Sequence, residues 1–216
     1  MEFTSDESGE LVGRVKGGDQ QALAELYSRH RPRLWRMVHF RLDPRLRGRV
    51  DADDILQEGY LAAVERVQHF KDDSSTSFFV WLRLVLSQTL IDVHRRHLGT
   101  QMRDAAREIS IHGHRSPQAT SVSLAARLLG QFTSPSGAAI RDEMARQLEQ
   151  AIDAMNPLDR EVLALRHFEE LTNSEVAEVL EIQPKAASIR YVRAIKRLKE
   201  ILSQLPDFTT SEDHGG

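Results

Sequence analysis

Residues 171–205 read LTNSEVAEVLEIQPKAASIRYVRAIKRLKEILSQL and contain a short helical pattern, a three-residue break and a long helical pattern. Thr172 or Asn173 can cap the short helix, because side chains of this type accept hydrogen bonds from the free amides of a first turn. Pro184 follows the break and takes the first position of the long helix, where its missing amide costs nothing. Glu181 stands in the break at a position that glycine often fills. The segment predicts a short helix, a tight turn and a long helix.

The long helix has two chemically different sides. Its apolar side is formed by Ala187, Tyr191, Ala194, Leu198, Ile201, Leu202 and Leu205. The opposite side carries Lys185, Ile189, Arg193 and Lys196, and Arg190 and Arg197 lie on a flank. A helix that enters a DNA major groove needs an apolar stripe against its scaffold and outward cations, so we interpret the segment as a helix-turn-helix. The alternative is an amphipathic helix in an ordinary bundle.

Helical periodicity also dominates the N-terminal half of the chain. A helix that begins after Asp19 is followed by an arginine-rich helix over residues 29–41, entered through Pro32. Two longer helices are predicted over about residues 52–70 and 77–97. Together they predict a compact four-helix unit.

Between residues 99 and 137 the periodicity fades, and Gly, Ser, Pro, Thr and His accumulate. A compact fold rarely holds so long a loop, so we interpret this segment as a tether, with a short helix near residues 122–129 as an alternative. The predicted fold class is all-α, with two small helical domains joined by a flexible linker and a helix-turn-helix in the second. The predicted boundaries are an N-terminal domain at 10–98, a linker at 99–139, a C-terminal domain at 140–205 and a polar tail at 206–216.

The composition excludes several classes of protein. The 216 residues include no cysteine, so a disulfide, a thiolate nucleophile and a cysteine-based metal site are excluded. No apolar stretch approaches the roughly 20 residues that cross a bilayer, and the N-terminus is acidic and polar rather than basic and then apolar. We therefore expect a cytoplasmic protein without membrane insertion. We also expect no enzyme activity, catalytic residue, metal or cofactor, because no catalytic constellation accompanies the helices.

The net charge of −3 conceals strong segregation of charge. Residues 29–49 contain eight arginines and one acid, and residues 185–199 contain six basic residues and no acid. Residues 51–58 contain four acids and no base. Binding to nucleic acid depends on local patches and not on total charge, so the basic runs remain compatible with it. Solvated helix faces are the alternative explanation of such runs.

The acidic helix places Asp54, Gln57, Glu58 and Glu65 on one side, with Leu61 among them. The helix dipole favours acids in a first turn, which explains part of this pattern. Paired carboxylates also serve in acid–base catalysis and in metal sites, but no convergent histidine or nucleophile accompanies them here. We favour a surface that binds a basic partner protein.

The helix near residues 77–97 begins with aromatic residues and ends with basic ones. Aromatic rings stack on unpaired bases and cations follow the backbone, so this helix has the groups that grip single-stranded DNA. The competing interpretation is that Trp81 and Leu82 belong to the core. For His94 and His97 we favour a solvated or phosphate-facing role over a metal site, because further ligands are lacking.

The order of four motifs and the helix-turn-helix resembles the extracytoplasmic-function (ECF) sigma factors of bacterial RNA polymerase. The motifs are Gly-Asp-x-x-Ala-x-x-x-Leu-Tyr at 18–27, Asp-x-x-Asp-x-x-Gln-Glu at 51–58, Trp-Leu with Ile-Asp and paired arginines at 81–96, and Asn-Pro-Leu-Asp-Arg-Glu-Val-Leu at 156–163. The resemblance covers about three quarters of the chain. It implies a subunit that binds core polymerase and directs initiation at particular promoters.

The resemblance also implies a role for individual residues. Docking on the coiled coil of the polymerase β′ subunit falls to Asp54, Gln57 and Glu58. Recognition and melting of the minus-10 element fall to Trp81, Gln88, Asp92, Arg95 and Arg96. Recognition of the minus-35 element falls to Lys185, Ser188, Ile189, Arg190, Arg193, Lys196 and Arg197, with Arg190 and Arg193 the foremost choices. The helices before the last one are implied to face the β-subunit flap.

Departures from the family pattern leave the promoter sequence open. Gln88 and Ser87 stand where an asparagine and a basic residue are common, and residues 185–188 replace the more usual Gly-Thr-Val-Lys. An anti-sigma factor that clamps the two domains is a hypothesis that follows from the linker and the family. A second interpretation of the chain is a helix-turn-helix transcriptional regulator that acts without polymerase docking.

Overall fold

The computed structural model of the chain describes residues 5–46, 48–70, 77–98, 121–132 and 138–203. Within these ranges every regular element is a helix, which confirms the predicted all-α class. The N-terminal elements are α1 (Ser5–Lys16), α2 (Gln20–Arg41), a 3-10 turn (Pro44–Leu46), α3 (Ala52–Arg66), a 3-10 turn (Val67–His69) and α4 (Phe78–Leu98). The C-terminal elements are α5 (Ser121–Phe132), α6 (Ala138–Asp153), α7 (Pro157–Leu163) with a π-helical continuation (Ala164–Phe168), α8 (Asn173–Val179) and α9 (Pro184–Ser203). Helices α1–α4 belong to one compact unit, and α5, α6, α7, α9 and most of α8 belong to a second.

The start of the N-terminal unit differs from the prediction in two ways. Helix α1 was not predicted, and it packs on α2 through Leu11 and Val15, which are both buried. Helix α2 is continuous where two helices were predicted, with Pro32 inside it. The proline removes one backbone hydrogen bond, but the buried Leu26 and Leu34 on either side hold the helix in the core. The predicted cap is present, since Asp19 Oδ1 accepts from the amides of residues 21 and 22 at 2.9 and 3.1 Å.

Helix α3 packs against both α2 and α4, and a glycine permits a close approach to α4. A Cβ atom added at Gly59 would lie 1.7 Å from Leu86 Cδ1 of α4. The Tyr27 hydroxyl lies beside the same glycine, 3.6 Å from the position of that Cβ atom, and donates to the Leu56 carbonyl at 2.6 Å. Burial raises the pKa of Tyr27, so this hydroxyl keeps its proton and remains a donor. These contacts fix which side of α3 faces solvent.

His94 has a structural role that the sequence did not indicate. Its side chain is buried, and Nε2 accepts a hydrogen bond from the backbone amide of Asp43 at 3.2 Å. The expected solvated or phosphate-facing role is therefore wrong for His94, whereas His97 is exposed. Burial lowers the pKa of His94, the charge of Asp43 opposes this shift, and Arg45 reinforces it. The buried imidazole is thus neutral when it accepts the amide.

The C-terminal unit begins earlier than predicted. Helix α5 lies inside the range assigned to a linker and packs on α6, with Leu124 and Leu128 buried. Ser121 Oγ also donates to Asp153 Oδ1 at 2.6 Å. Because α5 buries an apolar side on α6, it belongs to the C-terminal unit, and the predicted boundary at residue 140 is too late. Residues 99–120 of the predicted linker and the whole polar tail lie outside the described residues.

We predict that Gly59→Ala destabilises the N-terminal unit by about 1–3 kcal/mol, because the added methyl group overpacks the contact with Leu86. Both tryptophans of the chain, Trp35 and Trp81, lie in this unit, so urea unfolding followed by tryptophan fluorescence reports it selectively. Gly13→Ala is the control, since a Cβ there meets nothing within 4 Å. Equal unfolding midpoints for Gly59→Ala and wild type would contradict the close approach.

We predict that the N-terminal unit loses stability as the pH falls through the ordinary histidine pKa. The folded state lowers the pKa of His94, so the unfolded chain binds more protons there and acid favours unfolding. Tryptophan fluorescence should show a lower urea midpoint at about pH 5.5 than at about pH 7.5. His94→Gln retains an acceptor that does not titrate, and it should flatten this dependence. His97→Gln should leave the dependence unchanged; if both variants behave alike, His94 is not the titrating group.

Candidate DNA-binding and partner-binding surfaces

Helix α9 is oriented by its predicted apolar side. Ala187, Ala194, Leu198 and Ile201 are buried, and the helix packs against α7 and α6. Tyr191, predicted on the same side, is partly buried. The opposite side of α9 therefore faces solvent.

The turn before α9 has the predicted geometry. Thr172 caps α8, because its Oγ1 accepts from the Glu175 amide at 3.2 Å while Glu175 Oε2 accepts from the Thr172 amide at 2.7 Å. Glu181 has a φ of 53°, the left-handed conformation that usually selects glycine. Pro184 is the first residue of α9, as predicted. The Asn173 side chain donates to the Pro184 carbonyl at 2.8 Å and ties the two helices together.

We call the outward side of α9 the recognition face. It consists of the exposed residues Lys185, Ser188, Ile189, Val192, Arg193 and Lys196. Ile189 and Val192 are 57% and 66% exposed, an unusual state for large apolar side chains. Val192 was not predicted to lie on this face, because valine favours core positions. Its spacing from Ile189 and Lys196 nevertheless indicates the same side of the helix. The recognition face has cations at both ends and an apolar pair near its middle.

The two foremost arginines are held by a carboxylate of α7. Arg193 Nε and Nη2 donate to Asp159 Oδ2 and Oδ1 at 2.5 and 2.6 Å, and Arg190 Nη1 donates to Oδ1 at 3.0 Å. Burial acts to raise the pKa of Asp159, but the hydrogen bonds and charges of Arg193 and Arg190 outweigh it and lower the pKa below its ordinary value. The Asp159 side chain is 8% exposed, against 56% for Arg193. Arg193 thus projects outward from a buried anchor, whereas Arg190 lies on the flank.

The exposed side of α3 forms a second surface, which we call the acidic face. It consists of Asp53, Asp54, Gln57, Glu58, Leu61 and Glu65, all exposed. It includes the three residues predicted to dock on the polymerase. Leu61 is 59% exposed and adds an apolar side chain among the acids.

Several acids of this face also have partners inside the N-terminal unit. Asp54 closes a capping box with Asp51, so it stabilises the start of α3 as well as facing solvent. Glu58 accepts from Arg96 Nη2 of α4 at 2.5 Å, which joins a predicted docking residue to a predicted DNA contact. Asp53 pairs with Arg31 of α2 at 2.5 Å.

A third surface runs along α4, and we call it the α4 stripe. It contains Trp81, Leu84, Gln88, Asp92 and Arg95, spaced three or four residues apart. Asp92 Oδ1 accepts from Gln88 Nε2 at 3.3 Å and lies 3.7 Å from Arg95 Nη1. Leu84 was missed by the sequence analysis and is 42% exposed.

Trp81 has a dual environment. Its ring packs 5.3 Å from Phe70 and 5.4 Å from Phe78, measured between centroids, yet the residue is only partly buried. The neighbouring Leu82 is fully in the core. Ser87, at a family position that is often basic, is buried and donates to the Arg83 carbonyl at 2.8 Å.

The arginine run of residues 29–49 is engaged largely within the N-terminal unit. Arg29 pairs with Glu25 at 2.6 Å, and the Arg33 guanidinium lies 3.6 Å from the centroid of the Phe79 ring. Arg45 pairs with Asp43 at 2.8 Å, and Arg41 is buried. The density of arginine here reflects internal contacts as well as surface charge.

Metal binding and membrane crossing depend on particular arrangements of the described residues. Among them, no group of three or more His, Asp or Glu side chains is arranged to hold a metal ion. None of the described helices combines the length and the apolar character needed to cross a membrane.

Comparisons with known proteins agree with this geometry. A family model described as "ECF sigma factor" matches residues 5–203, and therefore both helical units. The ECF RNA polymerase sigma factor SigW of Bacillus subtilis is 24% identical over 195 residues, which cover 90% of this chain and 96% of the relative. The RNA polymerase sigma-H factor of Pseudomonas aeruginosa is 26% identical over 210 residues, which cover 94% and 97%.

A solved structure has a similar fold. It is the structure of CnrH in complex with the cytosolic domain of CnrY, with 22% identity, a TM-score of 0.52 and coverage of 90% of this chain and 96% of that one. The family match spans 199 consecutive positions, from 5 to 203. This range includes both helical units and the helix-turn-helix of the second. The chain belongs to the ECF sigma factor family.

Proposed function

We propose that this chain binds core RNA polymerase and directs initiation at promoters whose two elements it recognises. The observation that carries the proposal is the recognition face, which projects cations and an apolar pair from a helix-turn-helix in a chain of this family. Such a face suits a major groove, where cations meet phosphates and base edges. The role is one of binding, and catalysis belongs to the polymerase. A protein with this role works in the cytoplasm, where the chromosomal DNA lies.

The two helical units have different proposed roles, with polymerase docking and minus-10 recognition in the first and minus-35 recognition in the second. The acidic face of α3 docks on a basic surface of the polymerase, through Asp54, Gln57 and Glu58 with Leu61 among them. The α4 stripe meets the minus-10 element, where Trp81 offers a partly exposed ring to an unpaired base. Gln88, Asp92, Arg95 and Arg96 supply polar contacts beside it. The recognition face meets the minus-35 element, with Arg197 and Arg190 on its flank.

The Glu58–Arg96 pair supports a link between docking and DNA binding. Both side chains are about half exposed, so the pair contributes little stability in water and opens at small cost. When Glu58 binds a basic surface of the polymerase, its ion pair with Arg96 breaks. Arg96 is then available to bind the DNA backbone. Polymerase binding would thus precede this DNA contact, as suits a factor that binds promoters together with the polymerase.

The central experiment is co-elution of the purified chain with core polymerase, followed by run-off transcription from a pool of promoter fragments. Core binding with initiation at new sites is the expected result. A chain that ignores core polymerase and shifts duplex DNA alone would favour the regulator interpretation instead. A protein that displaces the chain from core polymerase would be the anti-sigma factor of the hypothesis; if none is recovered under uninduced conditions, that hypothesis loses support.

We predict that Glu58→Lys weakens binding to core polymerase by about fivefold or more, since it reverses a charge on the docking surface. The lost pair with Arg96 is exposed, so the urea midpoint should change little. Co-elution at several concentrations of core polymerase measures the change. Glu143→Lys makes the same charge change at an exposed position of α6 and should bind as wild type does. Equal weakening by both variants would argue against a specific acidic face.

We predict that Lys196→Ala weakens holoenzyme binding to all duplex sequences alike and lowers the slope of log affinity against log salt by about 0.9, the loss of one phosphate contact. Fluorescence anisotropy of labelled duplex across a salt series measures this slope. Arg146→Ala removes one cation from α6, where it pairs with Glu143, and should leave the slope unchanged. A slope unaffected by Lys196→Ala would remove this residue from the interface.

A further inference from the structure

We propose that Asp159 is a positioning residue that sets Arg193 to read a guanine in the DNA element under the recognition face. This inference rests on the proposed function and deepens it, because it names a base and a residue outside the recognition helix. It starts from the geometry of one carboxylate and one guanidinium. Sequence reasoning placed Asp159 only within a family motif, with no role of its own.

Asp159 occupies one edge of the Arg193 guanidinium. Nε and Nη2 donate to its two oxygens at 2.5 and 2.6 Å, in the bidentate geometry that orients an arginine most strongly. Nη1 and the second hydrogen of Nη2 remain on the outer edge. Two parallel N–H groups on such an edge match O6 and N7 of guanine in the major groove. Because Asp159 occupies the Nε–Nη2 edge, Arg193 can contact a base only through its outer Nη1–Nη2 edge.

The anchor is firm because Asp159 is itself held. Its side chain is 8% exposed, and Oδ1 also accepts from Arg190 Nη1 at 3.0 Å. Arg190 has 30% of its side chain exposed, so its guanidinium acts mainly as a brace for the carboxylate. A long side chain loses rotamer freedom when it binds, and an arginine ordered in advance loses less. Asp159 therefore improves discrimination between bases rather than total attraction to DNA.

The charge balance makes this distinction measurable. Asp159 offsets one of the two positive charges of Arg190 and Arg193, so it weakens the general attraction of α9 to phosphates. A residue that lowers non-specific affinity while it orients a base-reading group raises the ratio of specific to non-specific binding. Removal of Asp159 should lower the discrimination between bases and raise the non-specific affinity for DNA.

The test uses holoenzyme reconstituted from core polymerase and the full chain, with duplex fragments randomised in the minus-35 region. Wild type should select a guanine at one position, with a preference of roughly 5- to 150-fold over other bases, as one bidentate contact provides. Asp159→Asn should reduce that preference to a few-fold and raise affinity for non-selected duplex. Arg193→Lys keeps the charge but lacks the two parallel N–H donors of the guanidinium, so it should lose the preference for guanine. Glu200→Gln, which frees Arg197 on the same helix, is the matched control and should keep it.

A second probe changes the DNA base, and its result for the wild-type chain does not depend on any substitution in the protein. Replacing the selected guanine by 7-deazaguanine removes N7, and wild-type holoenzyme should lose most of its preference, while Asp159→Asn should lose little more. If Asp159→Asn is folded and keeps the full guanine preference, the positioning role is overturned. If Arg193→Lys keeps it too, Arg193 does not read the base. Failure of the wild-type chain to form a holoenzyme that selects any sequence would instead overturn the proposed function.

Discussion

The packing of α9 on α7 is the contact on which the proposed DNA interface depends. Burial of Ala187, Ala194 and Leu198 fixes the rotation of α9 and so determines which residues form the recognition face. The same contact brings Asp159 of α7 beside Arg193. One interface therefore both orients the helix and orients its principal arginine. A small shift of α7 would alter the two together.

The N-terminal unit uses a comparable constraint at the contact of α3 with α4. The absence of a side chain at Gly59 lets Leu86 lie against α3, and the Tyr27 hydroxyl packs beside the same glycine and bonds to the Leu56 carbonyl. Because α3 packs against α2 and α4, the acidic face is the side of α3 that remains exposed. The α4 stripe is partly exposed on the neighbouring helix. Docking and DNA contact are thereby proposed for adjacent helices of one packed unit, joined by the Glu58–Arg96 pair.

Charge in this protein serves the fold and the surfaces at once. The arginine run of α2 and the loop after it is drawn into ion pairs, a ring contact and burial, so its density overstates the surface charge. On α9, by contrast, Lys185, Lys196 and Arg193 remain exposed. A local count of cations could not separate these cases, because the Asp53 carboxylate beside Arg31 and the Phe79 ring beside Arg33 come from distant parts of the chain.

The sequence by itself determined the helical class, the position of the helix-turn-helix, a cap at Asp19, a cap at Thr172 or Asn173, and the exposed sides of α3 and α9. These features depend on residue spacing of three to four and on bonds within one turn, which are local. Tertiary structure decided the continuity of α2 through Pro32, the place of α5 in the C-terminal unit, and the buried role of His94. It also decided the hydrogen bonds that join Asp159 to Arg190 and Arg193. Those features arise from contacts between residues far apart in the chain, and no periodicity along the sequence encodes them.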